Sequence, residues 1–179
     1  MGAAGFHPQA YGWDTLLFLK APVLKWYLLA ALVLVLDQLT KTWFSANLEY
    51  ARPWVISDFF NFTLLHNTGA AFSFLSDAGG WQRWFFSAIA ALVSVVLVVW
   101  MARLSATKRM EALALGLVLG GALGNLVDRV QLGYVVDFIV VHYQSYYWPA
   151  FNIADSAICV GAVLLLIDGF RQGEDTTAK

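Results

Sequence analysis

Apolar positions in this chain fall into long runs separated by short polar breaks. The clearest is FFSAIAALVSVVLVVWM, which contains no charge and predicts a membrane helix over about residues 84–102. An earlier run, Trp26 to Leu36, is too short to span alone. A span needs roughly 20 residues, so the predicted helix over about 24–44 carries Asp37 and Lys41 within the membrane or at its far face. Two further runs predict helices over about 111–128 and 151–170. An even number of spans places both termini on one side.

The segments between these runs carry other patterns. Residues 45–81 include WVISDFFNFTLLHNTGAAFSFL, rich in aromatic and β-branched residues, with Asn67, Thr68 and Gly69 as a turn signal. Short strands are predicted on either side of that turn, in a unit suited to lie on the bilayer. Residues 1–20 show no period and read as a loosely ordered cytoplasmic tail, and 171–179 as a second tail. Lys20 and Lys25 ahead of an apolar run look like the start of a signal peptide. No small-residue cleavage site follows, so the segment reads as a retained anchor. Gly116, Gly120 and Gly124 recur every four residues, which lets a neighbouring backbone approach closely and places the third helix inside the bundle. No internal repeat is visible. The predicted fold is mainly α, a polytopic membrane protein with four transmembrane helices and a small extracytoplasmic β-containing segment, in a single membrane domain over 1–179.

Composition agrees, since 60% of residues are hydrophobic and only 13% charged, against roughly a quarter charged in soluble domains. A net charge of -1 carries no nucleic-acid signal. The histidines, His7, His66 and His142, lie far apart, and Cys159 is the single cysteine, so neither an intrachain disulfide nor a zinc spacing arises. Cys159 reads as a small residue of an apolar helix. Lys20, Lys25, Arg103, Lys108, Arg109, Arg171 and Lys179 flank one side of the predicted spans, against Lys41, Arg52, Arg83 and Arg129 on the other. That bias predicts cytoplasmic termini and an outward-facing polar cluster. Trp43, Trp54, Trp81, Trp84, Tyr146, Tyr147 and Trp148 fall at the same outer interface, where anchoring is their ordinary role.

The polar cluster is concentrated between Gly124 and Asp155. Helix positions three and four apart share a face, so Asn125 lies with Asp128 and Arg129, Asn152 with Asp155, and Asp37 with Lys41. Each group sits at the outer end of its helix, and Asp137 joins them from the connection between the third and fourth helices. Asp37 and Lys41 have an ordinary reading as an acid-before-base pair crossing the interface. Asp128 and Arg129 have a similar one, an ion pair or backbone contact fixing the loop, although Arg129 could hold a carbonyl or lipid phosphate. Asp137, within VVDFIVV, and Asp155, where a span enters the membrane, have no basic residue within four positions. Two such carboxylates close together share a proton near neutral pH. One can then take a proton from water attacking a peptide carbonyl while the other hydrogen-bonds the carbonyl oxygen. The sequence leaves open which is the base. Neither G-x-S-x-G nor H-E-x-x-H occurs, and Ser156 has no local base.

VLDQLTK at 35–41, HNTGAAFSF at 66–74, GGALGNLVDR at 120–129, VVDF at 135–138 and FNIADSAI at 151–158 resemble the bacterial lipoprotein signal peptidases, also called signal peptidase II. The resemblance covers roughly residues 24–170. It implies an inner-membrane aspartic peptidase that removes the signal peptide of a diacylglyceryl-modified prolipoprotein just before the lipid-bearing cysteine, with no cofactor or metal. The catalytic pair it implies is Asp137 and Asp155. Supporting positions fall on Asp37, Lys41, Asn67, Gly69, Asn125, Asp128, Arg129 and Asn152, with the active site on the periplasmic side. Membrane lipid and a globomycin-type inhibitor are the further partners implied. Two other classes fit the residues alone. A small proton-coupled transporter or channel would use the acids as a relay, although repeated halves are absent. A structural subunit would use Asp137 and Asp155 only to fix loops.

Overall fold

The computed structural model of the protein describes residues 21–69 and 80–177. Four helices are long and apolar enough to cross a membrane. They are α1 (Ala21–Asn47), α2 (Trp81–Arg103), α3 (Arg109–Gln131) and α4 (Ile153–Thr177). All four expected spans are present, most of them longer than the apolar runs because polar end-turns continue the helix. The fourth begins later than expected, since Asn152 caps it and Phe151 instead bridges to Ile139. The expected tail over 1–20 lies outside the described residues.

Helix α3 is the centre of the bundle. It packs against each of the other three, and α1 also meets α4. Its buried positions are largely Gly, Ala and Leu, whereas large apolar side chains such as Leu28, Leu32, Leu92, Val95, Val163 and Leu166 point outward. Lipid rather than water would solvate that outer surface, so close packing between helices, and not burial from water, holds the bundle. The glycines show how close it is. A Cβ on Gly120 would stand 2.6 Å from the Ala30 carbonyl oxygen of α1, and one on Gly121 would collide with the Ala154 carbonyl of α4.

A four-stranded antiparallel sheet lies beyond one end of the helices, in the order β1 (Trp54–Ser57), β2 (Phe60–Asn67), β3 (Val135–Tyr143) and β4 (Tyr146–Tyr147). The 45–81 segment thus contributes two strands, both ahead of the Asn67–Gly69 turn; the strand expected after it falls at 70–79, outside the described residues. Strand β3 was not expected at all, because VVDFIVVHY read as a connection. Its partner is β2, with Leu65 opposite Asp137 and Asn67 opposite Val135. Phe138, fully buried, stacks on Phe44 at 4.1 Å between ring centroids, tying the sheet to the end of α1. Trp43, Trp54, Trp81, Trp84, Tyr146, Tyr147 and Trp148 are all exposed around this end.

Candidate active site

The junction of α3 and β3 brings the polar residues together. Gly133, at φ +88°, ends α3 in the left-handed conformation that glycine adopts without a Cβ clash. Its N–H returns to the Arg129 carbonyl at 3.2 Å, and that of Leu132 to the Asp128 carbonyl at 2.7 Å. The chain then reverses, so that the Val136 N–H donates to Asp128 Oδ2 at 3.0 Å. Asp128 therefore fixes the backbone N–H of the residue immediately before Asp137. This is the backbone contact anticipated for Asp128, made without an ion pair to Arg129.

On α1, Asp37 and Lys41 form the expected i,i+4 pair at 2.8 Å, but as part of a larger buried network. Lys41 Nζ also donates to Asp128 Oδ2 at 2.9 Å and to Asn125 Oδ1 at 3.0 Å. Asp37 Oδ1 accepts the Ala154 N–H at 2.9 Å. Buried charges are tolerated when paired and hydrogen-bonded in this way. Gln38, which the sequence reading left without a role, donates through Nε2 to Asp128 Oδ1 at 2.8 Å and to the Gly124 carbonyl at 3.2 Å.

Asn152 lies between the two candidate carboxylates. Its Nδ2 donates to Asp137 Oδ1 at 2.8 Å and to the Val136 carbonyl at 3.2 Å, while its backbone N–H donates to Asp155 Oδ2 at 3.3 Å. Asp155 Oδ1 accepts Asn125 Nδ2 at 2.7 Å. From β2, Asn67 Nδ2 donates to Asp137 Oδ2 at 3.1 Å, and its Oδ1 accepts the Gly69 N–H at 2.9 Å, a turn that fixes the amide. Asp137 is 2% exposed whereas Asp155 is only half-buried. Burial, and then the charge of Asp155, push the Asp137 carboxyl up to about 7, against the opposing pull of Asn67, Asn152 and Lys41.

Arg129 is coupled electrostatically to Asp155, Asp137 and Asp128. Its hydrogen bond to the Asn125 carbonyl in its own helix is long, at 3.4 Å. The guanidinium lies 5.6 Å over the ring of Phe86, and the same ring stands 2.7 Å from where a Cβ on Gly69 would be. Phe86 is thus the contribution of α2 to the site. Nothing in its sequence position, inside an apolar run, distinguished it from a lipid-facing residue. Asp37, Lys41, Asn67, Gly69, Asn125, Asp128, Arg129, Asp137, Asn152 and Asp155 are all brought into this one region. Among the described residues, no group of His, Cys, Asp and Glu is arranged to hold a metal ion.

Four apolar spans around a buried polar network, with two carboxylates at its edge, define a multi-pass membrane protein with the groups for hydrolytic chemistry. The comparisons specify it further. The model of the family described as signal peptidase (SPase) II matches residues 29–171, and the chain belongs to that family. It is similar to the lipoprotein signal peptidase of Teredinibacter turnerae, 66% identical over 81% of this chain and 86% of that one. It is also similar to that of Cellvibrio japonicus, 56% identical over 86% of this chain and 91% of that one. A solved bacterial membrane enzyme superposes with a TM-score of 0.75 at 33% identity, covering 84% of this chain and 90% of that one. A second such enzyme gives 0.71 at 34% identity, over 80% and 91%. The protein is therefore a bacterial multi-pass membrane protease of the signal peptidase II family, which displaces the transporter and structural readings.

Proposed function

We propose that the protein cleaves diacylglyceryl-modified prolipoproteins just before the lipid-bearing cysteine, by a two-carboxylate mechanism at Asp137 and Asp155. The observation that carries this reading is Asn152, which hydrogen-bonds Asp137 through its amide and Asp155 through its backbone. The two carboxylates are held as one unit. Asp155 is the base in this reading: it is the less buried of the two, faces the Arg129 charge and stands in the first turn of α4, where the helix dipole meets an anion. Asp137, buried and raised to about 7, holds the proton.

Water attacks the scissile carbonyl as Asp155 takes one of its protons, and the Asp137 hydroxyl donates a hydrogen bond to the carbonyl oxygen as negative charge gathers there. The tetrahedral intermediate then collapses, the C–N bond breaks, and the proton taken from water passes to the leaving nitrogen. No covalent enzyme intermediate and no cofactor enter. Asp37, Lys41, Asn67, Gly69, Asn125, Asp128, Arg129 and Asn152 hold this pair or its substrate in place.

The position of the site supports a lipid-anchored substrate. A bond fixed at the membrane surface by a diacylglyceryl group is presented to carboxylates at the ends of the spans. The lysine and arginine bias supports the reading that this end faces the periplasmic side of the inner membrane, with both termini cytoplasmic. A globomycin-type inhibitor would compete for the same region, and membrane lipid would surround it. Cleavage of a purified lipidated prolipoprotein by wild type, Asp137→Asn and Asp155→Asn, with a chelator control, tests the reading. Cleavage before the modified cysteine by wild type alone, indifferent to chelator, is expected; cutting by both folded variants would remove the assignment.

A further inference from the structure

Lys41 touches neither candidate carboxylate, yet all three of its ammonium hydrogens serve groups that reach them. A lysine ammonium has three donors and no acceptor capacity, and here the three acceptors belong to Asp37 Oδ2, Asp128 Oδ2 and Asn125 Oδ1. Each acceptor continues to a different point of the site. Asp37 holds the N–H of Ala154, the residue before Asp155, and Asp128 holds the N–H of Val136, the residue before Asp137. Asn125, its oxygen held by Lys41, turns its Nδ2 to Asp155 Oδ1 at 2.7 Å. Lys41 shares that oxygen with Asn152 Nδ2, at 3.3 Å, and the two donors together aim the amide at Asp155.

We propose that Lys41 is a positioning residue whose three-way ammonium sets the spacing and mutual orientation of Asp137 and Asp155. The inference rests on the two-carboxylate reading above. One side chain on α1 ties α3, the strand that bears Asp137 and the first turn of α4 to a common point. The requirement is for convergent geometry and not only for positive charge. An arginine keeps the charge but presents its donors in a flat fork, which cannot reproduce three acceptors around one nitrogen.

A cavity of about 410 Å³ between α1, the end of α3 and β3 is lined by Lys41, Gln38, Thr42, Asp128 and Tyr134. It gives small solutes a way to the ammonium position. In Lys41→Ala, n-propylammonium supplies the atoms removed, including the three N–H donors.

The test measures kcat and KM on a lipidated prolipoprotein for wild type, Lys41→Arg, Lys41→Ala and Asp137→Asn, with thermal unfolding in detergent to establish folding. Lys41→Arg should lose about 100-fold in kcat with little change in KM, the scale set by a misplacement of roughly 1 Å in the reacting groups. Folded Lys41→Ala should lose at least as much and recover saturably with n-propylammonium but not with tetramethylammonium, which has no N–H. If Lys41→Ala does not fold, Lys41→Arg decides alone. Wild-type kcat in Lys41→Arg, a loss confined to KM, or a folded Lys41→Ala that n-propylammonium leaves inactive would each overturn the role. An inactive Asp137→Asn beside a fully active Lys41→Arg would remove only the role of Lys41. A fully active Asp137→Asn would remove the two-carboxylate reading itself.

Discussion

Asn152 and Asp155 cap the same helix by exchanging hydrogen bonds. Asn152 Oδ1 accepts the Asp155 N–H at 2.9 Å, and Asp155 Oδ2 accepts the Asn152 N–H at 3.3 Å. This is the reciprocal geometry of a capping box, built with Asn and Asp at the positions where Ser or Thr and Glu are commoner. The cap orders the turn that presents Asp155, and the other half of the Asn152 amide reaches Asp137. Helix termination and site geometry therefore depend on one side chain.

Two substitutions at Asn152 separate those functions. Serine retains a capping oxygen and loses the amide donor; alanine loses both. Each should reduce kcat by about 100-fold through misalignment of the pair. Alanine should be the less stable of the two by about 1 kcal/mol, the usual value of an N-cap. Kinetics on the lipidated substrate and thermal unfolding in detergent read the two effects independently.

Glycine spacing in α3 makes a second prediction. A Cβ on Gly124 would sit 2.5 Å from Asp37 Oδ2, an oxygen that Lys41 binds. Gly124→Ala should therefore lower cleavage as well as stability, the latter by about 1–3 kcal/mol as for other overpacked sites. Gly169→Ala, with nothing within 4 Å of the added carbon, should leave both unchanged or gain slightly in helix stability. Equal behaviour of the two variants would contradict the packing described for α3.

The apolar runs were legible in the sequence because a span announces itself by length and hydropathy, without reference to any other part of the chain. Asp37 with Lys41, and Asn125 with Asp128, were legible because helical spacing alone places them on one face. Strand β3 was not, since VVDFIVVHY becomes a strand by pairing with β2, and Asp137 finds its Asn67 partner 70 residues away. Gln38 was overlooked for the same reason: its acceptors on Asp128 and Gly124 lie 90 and 86 residues distant. Phe86 matters only because α2 happens to cross near Gly69 and Arg129. Local periodicity carries the elements, while long-range pairing decides which polar groups meet.

Replacing Asp155 should alter the titration of Asp137. The Asp155 charge is the second cause of the raised Asp137 carboxyl, after burial. Asp155→Asn should consequently bring Asp137 below about 7 but leave it above the ordinary carboxylate range. Infrared difference spectra of the protonated carboxyl band, followed against pH, measure this. An unchanged Asp137 would mean that the two groups are not electrostatically coupled.

The raised Asp137 carboxyl also gives predictions for both activity and stability, each declining as pH rises. If Asp137 holds the proton, cleavage should fall as pH rises through about 7, where that proton is lost. The same shift bears on folding, because unfolded Asp titrates near 3.9. Between those values the folded state binds a proton that the unfolded state has released. Its contribution is fully present below about pH 4 and is lost as pH rises through about 7, so stability declines across that window. Asparagine resembles the protonated form and cannot ionise. Asp137→Asn should therefore match wild type near pH 4 and exceed it at pH 8, by an amount on the order of 1–4 kcal/mol given about 1.36 kcal/mol per pKa unit. Thermal unfolding of both proteins at the two pH values decides the point: a variant less stable than wild type at pH 8 would show that Asp137 is held as a stabilised anion and is not the acid of the pair.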